Sequence, residues 1–72
     1  MRIEYFPDTD SLYIDLSERV SADSREIGEG IVLDLDDQGR PVGLDIDQAS
    51  KHLDLKNLDL KRIPFEVHQA SA

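Results

Sequence analysis

Cysteine and tryptophan are both missing from this chain of 72 residues. Without a thiol there is no disulfide, no thiolate nucleophile and no Cys-ligated zinc, a usage that suits a reducing compartment. Basic residues are scarce as well: 8 Lys and Arg stand against 16 Asp and Glu, giving a net charge of -8 and a pI near 4.4. Nucleic-acid binding depends on neutralising phosphates with basic side chains, so no direct contact with DNA or RNA is expected. Long apolar runs are absent too. Nothing approaches membrane-spanning length, and Met1-Arg2-Ile3-Glu4-Tyr5 does not resemble a signal peptide. The expectation is a cytoplasmic protein, bound to neither nucleic acid nor membrane, with no cofactor and no assigned metal site.

Length itself is in short supply. A chain this small buries only about 60% of the surface that its unfolded form exposes. Its core contributes no more than about 3 to 5 kcal/mol net unless another device reinforces it. With disulfides excluded, assembly into a homo-oligomer is the expected reinforcement.

What the chain does have is alternation. Ile3 and Tyr5 alternate with Arg2 and Glu4, and Leu12, Ile14 and Leu16 alternate with Tyr13 and Asp15. That is the two-residue period of half-buried strands. Pro7-Asp8-Thr9-Asp10 between them has turn chemistry, which predicts a hairpin over residues 2–16 with Tyr5 facing Leu12 and Ile3 facing Ile14. Residues 17–30 read as a connection containing a short extended segment around Arg25-Glu26-Ile27, with Gly28 and Gly30 marking a bend or bulge. A second hairpin, residues 31–47, is the clearest signal: Ile31, Leu33 and Leu35 alternate with Val32, Asp34 and Asp36. After the turn cluster Asp37-Gln38-Gly39-Arg40, Val42, Leu44 and Ile46 alternate with Gly43, Asp45 and Asp47. Burial then pairs Leu33 with Leu44, Leu35 with Val42 and Ile31 with Ile46.

After Asp47 the period changes. Residues 48–63 read as a helix from Gln48 to Leu53, followed by either more helix or a loop, because Leu53-Asp54-Leu55 and Leu58-Asp59-Leu60 also alternate and Pro64 ends any helix. Residues 64–72 read as an extended tail. The expected fold is therefore α+β within a single domain, residues 1–72. It comprises a small antiparallel sheet of two hairpins and four to five strands, with a short C-terminal helix packed on the apolar face.

Pairing the leucines inward turns Asp34, Asp36, Asp45 and Asp47 to the opposite face, where cross-strand neighbours lie about 4.5 to 8 Å apart. Like charges that close call for solvation, a cation or a basic protein. Tyr13 and Asp15 are assigned to the same face, and tyrosine is enriched at binding hot spots. Asp34-Leu35-Asp36-Asp37-Gln38-Gly39 followed by Asp45 imitates the spacing of a calcium loop, yet such loops join helices and this one joins strands. Ser50, His52 and Asp54 have the residue types of a catalytic triad, but alternate residues on a helix point apart. No catalytic residue is assigned.

The succession Tyr5, Asp8, Asp10, Leu12-Tyr13-Ile14, Gly30-Ile31-Val32-Leu33-Asp34, Gly39, Val42-Gly43, Asp45-Ile46 and Ala49-Ser50 resembles the YuzE-like family of short prokaryotic proteins of unknown function. The resemblance runs roughly from Arg2 to Leu53. It implies a compact α+β fold and no established activity, and some members look like antitoxin-side partners of small basic toxins. The residues and the resemblance together point to a non-enzymatic protein-binding module. Its expected partner surface is Tyr13, Asp15, Asp34, Asp36, Asp45 and Asp47, with a basic protein as ligand. A divalent-cation or hydrolytic site on the same carboxylates, and a purely structural homo-oligomer, are the alternatives.

Overall fold

A computed structural model describes residues 1–64. It is an open antiparallel sheet of five strands: β1 (Arg2–Phe6), β2 (Ser11–Asp15), β3 (Asp23–Gly28), β4 (Ile31–Leu35) and β5 (Pro41–Ile46), followed by one helical turn, α1 (Ala49–His52). The spatial order is β1-β2-β5-β4-β3, so β5 joins the two hairpins and β1 and β3 are the edges.

Both hairpin registers follow the apolar alternation. Ile3 pairs with Ile14 and Tyr5 with Leu12, while Ile31 pairs with Ile46 and Leu33 with Leu44. Across the β2–β5 seam Leu12 meets Ile46 and Ile14 meets Leu44, so one face is apolar from β1 to β4. The connection contributes more than a short segment: Asp23–Gly28 forms a complete edge strand, with a bulge between Glu26 and Gly28.

One pairing expected from the alternation is corrected. Leu35 faces Pro41, not Val42, because the register shifts between Asp34 and Leu35. The cause is a tighter turn than the spacing suggests. The Asp36 N–H donates to the Arg40 carbonyl (2.9 Å) and the Gly39 N–H to the Asp36 carbonyl (3.1 Å), leaving three residues in the loop. Gly39 closes it with φ 78°, a left-handed conformation that glycine adopts without steric conflict. Val42 becomes the extra residue of a bulge, and it is buried.

The C-terminal segment also differs from expectation. Instead of Gln48 to Leu53 or beyond, α1 covers only four residues. Gln48 takes a left-handed φ of 50° and Leu53 an extended conformation, so neither end propagates. The leucine-rich stretch after His52 is irregular as far as Pro64, and the extended tail expected over 64–72 lies, from Phe65 onward, outside the described residues.

The core is thin. Leu12, Ile46 and Ala49 form its buried cluster, with Ile14, Ile31 and Leu44 packed against it at partial exposure. Among the described residues no large side chain is completely buried. A single sheet with a four-residue helix does not supply the second layer that a fully enclosed core requires.

Candidate functional site

Pairing across the sheet fixes which residues share the face opposite the leucines. One row runs Glu4, Tyr13, Asp45, Val32, Glu26, and the next runs Arg2, Asp15, Gly43, Asp34, Ser24, each drawing one residue from every strand. Five carboxylates and one guanidinium therefore stand on two adjacent rows. Asp15, Asp34, Asp45 and Tyr13 fall where the sequence pattern places them.

Glu4 and Glu26 belong to the same face and were not singled out from sequence. The signal for Glu4 was its alternation with Ile3 and Tyr5. Glu26 was hidden because residues 17–30 lack an apolar period, and only pairing with β4 gives it a side.

Tyr13 has a built position. Glycine at 43, diagonal to it on β5, leaves room for the ring: a methyl group there would overlap the phenol oxygen and lie 2.8 Å from Cζ. The hydroxyl reaches across to the Asp34 Oδ2 at 3.4 Å, a long contact. Burial raises the phenol pKa first, and the negative charges of Asp34, Asp15 and Asp45 raise it further. Asp34 also accepts a short hydrogen bond from the Ser24 hydroxyl (2.7 Å). Tyr13 and Asp34 are thus fixed features, whereas Asp45 is open to solvent.

Asp36 does not belong to this face. It is 4% exposed and held inside the β4–β5 turn. Its Oδ1 accepts the backbone N–H groups of Gln38 (2.9 Å) and Arg40 (2.8 Å), and its Oδ2 accepts Nε of Arg19 (2.8 Å) and of Arg40 (2.7 Å). Arg19 also donates to the Pro41 carbonyl (3.1 Å), which fastens the connection before β3 to the start of β5. Burial alone would push the carboxyl pKa up. The hydrogen bonds of Arg40 and Gln38 and the Arg40 charge outweigh it and hold the group at about 2. The turn needs an acceptor here, so alternation misplaced the residue.

Asp47 lies beyond β5 as well. Its N–H donates to the Gly30 carbonyl (2.8 Å), which closes the far end of the β4–β5 pair, and its carboxylate accepts the Gln48 N–H (3.0 Å). The four-aspartate face of the alternation is thus reduced to Asp34 and Asp45, joined by Asp15, Glu4 and Glu26 from other strands.

A second polar constellation joins distant parts of the chain. Asp10, with φ 53°, accepts the Tyr5 hydroxyl (2.8 Å), the Ser50 hydroxyl (2.6 Å) and the Ser50 N–H (3.1 Å), while its own carbonyl accepts the Ala49 N–H (2.8 Å). The Ser50 and Tyr5 donors lower the Asp10 pKa despite opposing desolvation, and the same bond to Asp10 raises that of Tyr5. This clamp holds α1 against the β1–β2 turn. It also removes Ser50 from any relay with His52 and Asp54; Asp54 instead accepts the Asn57 side chain (2.8 Å).

Among the described residues no group of three or more His, Asp or Glu side chains is placed to hold a metal ion. Two shallow concavities lie around the Asp36 turn, one of about 360 Å³ reaching Arg25 and Gly39 and one of about 390 Å³ reaching Arg19 and Arg40. No helix among the described residues is long and apolar enough to cross a membrane.

A five-stranded open sheet pinned at one end by a Tyr-Asp-Ser clamp, with one carboxylate-rich face, defines a small antiparallel β scaffold. The chain belongs to the protein family described as "Protein of unknown function (DUF2283)", whose family model matches residues 2–50. That span begins in β1 and ends on Ser50, so it contains both partners of the Asp10 clamp. No named relative supports the narrower YuzE-like designation, because no curated protein and no solved structure matches significantly.

Proposed function

We propose that this chain is a non-enzymatic protein-binding module whose carboxylate-rich sheet face receives the basic surface of another protein. The observation that carries this reading is the pair of cross-sheet rows in which Glu4, Asp15, Glu26, Asp34 and Asp45 stand with Arg2 as the only basic residue. Like charges on neighbouring strands repel, and a partner bearing Lys or Arg relieves that repulsion on contact. Tyr13, seated over Gly43 in the middle of the face, supplies a preorganised aromatic anchor.

The expected partner is a small basic protein of the toxin type, met in the cytoplasm, which makes this chain antitoxin-like. In the same reading α1 packs on the apolar sheet face, where Ala49 is buried beside Leu12 and Ile46, leaving the acidic face free. No observation favours a cation-dependent or hydrolytic use of the carboxylates.

The test is affinity purification of the tagged protein with mass-spectrometric identification of what it retains. A basic protein is expected, recovered less as salt rises. Reversal of Asp34 and Asp45 to Lys releases it, whereas Asp37→Lys, an exposed change of like sign in the turn, does not. Equal recovery with both variants refutes the acidic-face reading.

A further inference from the structure

The two edges of the sheet are treated differently. β3 carries a bulge between Glu26 and Gly28 and presents Asp23, Arg25 and Glu26, features that discourage pairing with another strand. β1 lacks the bulge and the charge on the apolar face: its two charges, Arg2 and Glu4, are of opposite sign and share the other face, and no proline interrupts Arg2–Phe6. Its apolar side chains Ile3 and Tyr5 are exposed at 44% and 41%, as is Met1 just before the strand at 65%.

We infer that β1 pairs antiparallel with β1 of a second copy, in the register that sets Ile3 against Ile3 about a twofold axis, so that two five-stranded sheets become one of ten strands. The occupant and the register both follow from the sequence of the strand. Centred on Ile3, each Arg2 stands opposite Glu4 of the second copy, giving two reciprocal ion pairs on one face. On the other face Ile3 meets its own counterpart, and Tyr5 meets Met1. Centred one residue later, on Glu4, the strand would set Glu4 directly against Glu4, a destabilising cross-strand pair of like charges. Arg2 has freedom to serve the contact, because its internal ion pair with Asp15 is long (3.9 Å) and its side chain is 71% exposed.

The twofold axis of such a pairing is perpendicular to the sheet, so equivalent faces of the two copies lie on the same side. Pairing also satisfies the outward backbone groups of β1, which a lone sheet leaves to water. It does not depend on what the acidic face binds.

Light scattering on the eluting peak should give twice the 8.1 kDa chain mass. Arg2→Glu and Glu4→Arg, each alone, should elute as monomers, because each strand then opposes like charges. Mixing the two variants should restore a dimer of unlike chains, and the double variant R2E/E4R should dimerise with itself. Circular dichroism confirms that each variant is folded, and the double variant keeps the test valid if one single variant is not. A monomeric wild-type chain, a dimer unaffected by either single reversal, or variants that stay monomeric when mixed would each overturn the pairing.

Discussion

Asp36 shows how much one side chain can organise in a sheet this small. Its carboxylate accepts hydrogen bonds from two backbone N–H groups of the turn and from two guanidinium groups. Asp36→Ala should therefore lower the thermal midpoint by roughly 5 to 10 °C, measured by circular dichroism. The pH dependence has a definite sign. The folded-state pKa, at about 2, lies below the ordinary 3.8, so this stabilisation is complete above about pH 4. It disappears as pH falls from the ordinary value through the folded one. The stability gap between wild type and Asp36→Asn should shrink over that interval in urea titrations, and a gap that widens toward pH 2 would contradict the assignment. Tyr13 and Gly43 form the other residue-scale dependence. Gly43→Ala should displace the ring and destabilise by about 1 to 3 kcal/mol. Tyr13→Phe should change stability by less than about 0.5 kcal/mol, because the bond it removes is long.

The strands differ in what each contributes. β5 lies between β2 and β4 and holds Val42 and Ile46 in the core, whereas β3 is exposed along nearly all its length. Ile46→Ala should lower unfolding free energy by about 2 kcal/mol, at the low end for a large-to-small core change because the layer above it is thin. Ile27→Ala, at an exposed position, should stay within about 0.5 kcal/mol in the same denaturant titration. The helix depends on its clamp more than on propensity, since four residues cannot sustain a helix in isolation. Asp10→Ala removes the acceptor of Ser50 and Tyr5 and also puts alanine at φ 53°. Hydrogen-exchange protection at Leu53, whose N–H bonds to the Ala49 carbonyl, should then be lost while that of β4 and β5 persists. Asp10→Asn should retain more of it, because Asn tolerates that backbone conformation and keeps an acceptor oxygen.

At the scale of the whole molecule the dominant quantity is the net charge of -8, concentrated in part on one face. Self-repulsion opposes folding and is screened by salt over a Debye length of about 10 Å at 0.1 M. The thermal midpoint should therefore rise with sodium chloride. The double variant Glu26→Gln with Asp45→Asn should be more stable at low salt and show a flatter salt response. If the salt response is unchanged by that variant, the repulsion resides elsewhere on the surface.

Periodicity determined a large part of this protein by itself. A strand with an apolar residue at every second position has only one way to turn its side chains inward. Alternation alone therefore pairs Ile3 with Ile14 and Leu33 with Leu44, and sets Asp34, Asp45, Asp15 and Tyr13 opposite them. Local chemistry also announced both turns. Tertiary structure decided what depends on partners distant in the chain. β3 became a strand because β4 offered it backbone groups, not because its own pattern required it. Asp36 left the face because a turn and Arg19 claimed its carboxylate, and that shift placed Val42 in a bulge. Glu26 joined the face only when β3 paired with β4, and Asp10 met Ser50 through a contact spanning forty residues. Alternation reports the side on which a residue lies. It carries no information on which distant donor will satisfy a particular carboxylate, and at this sheet that choice separates the structural aspartates from the exposed ones.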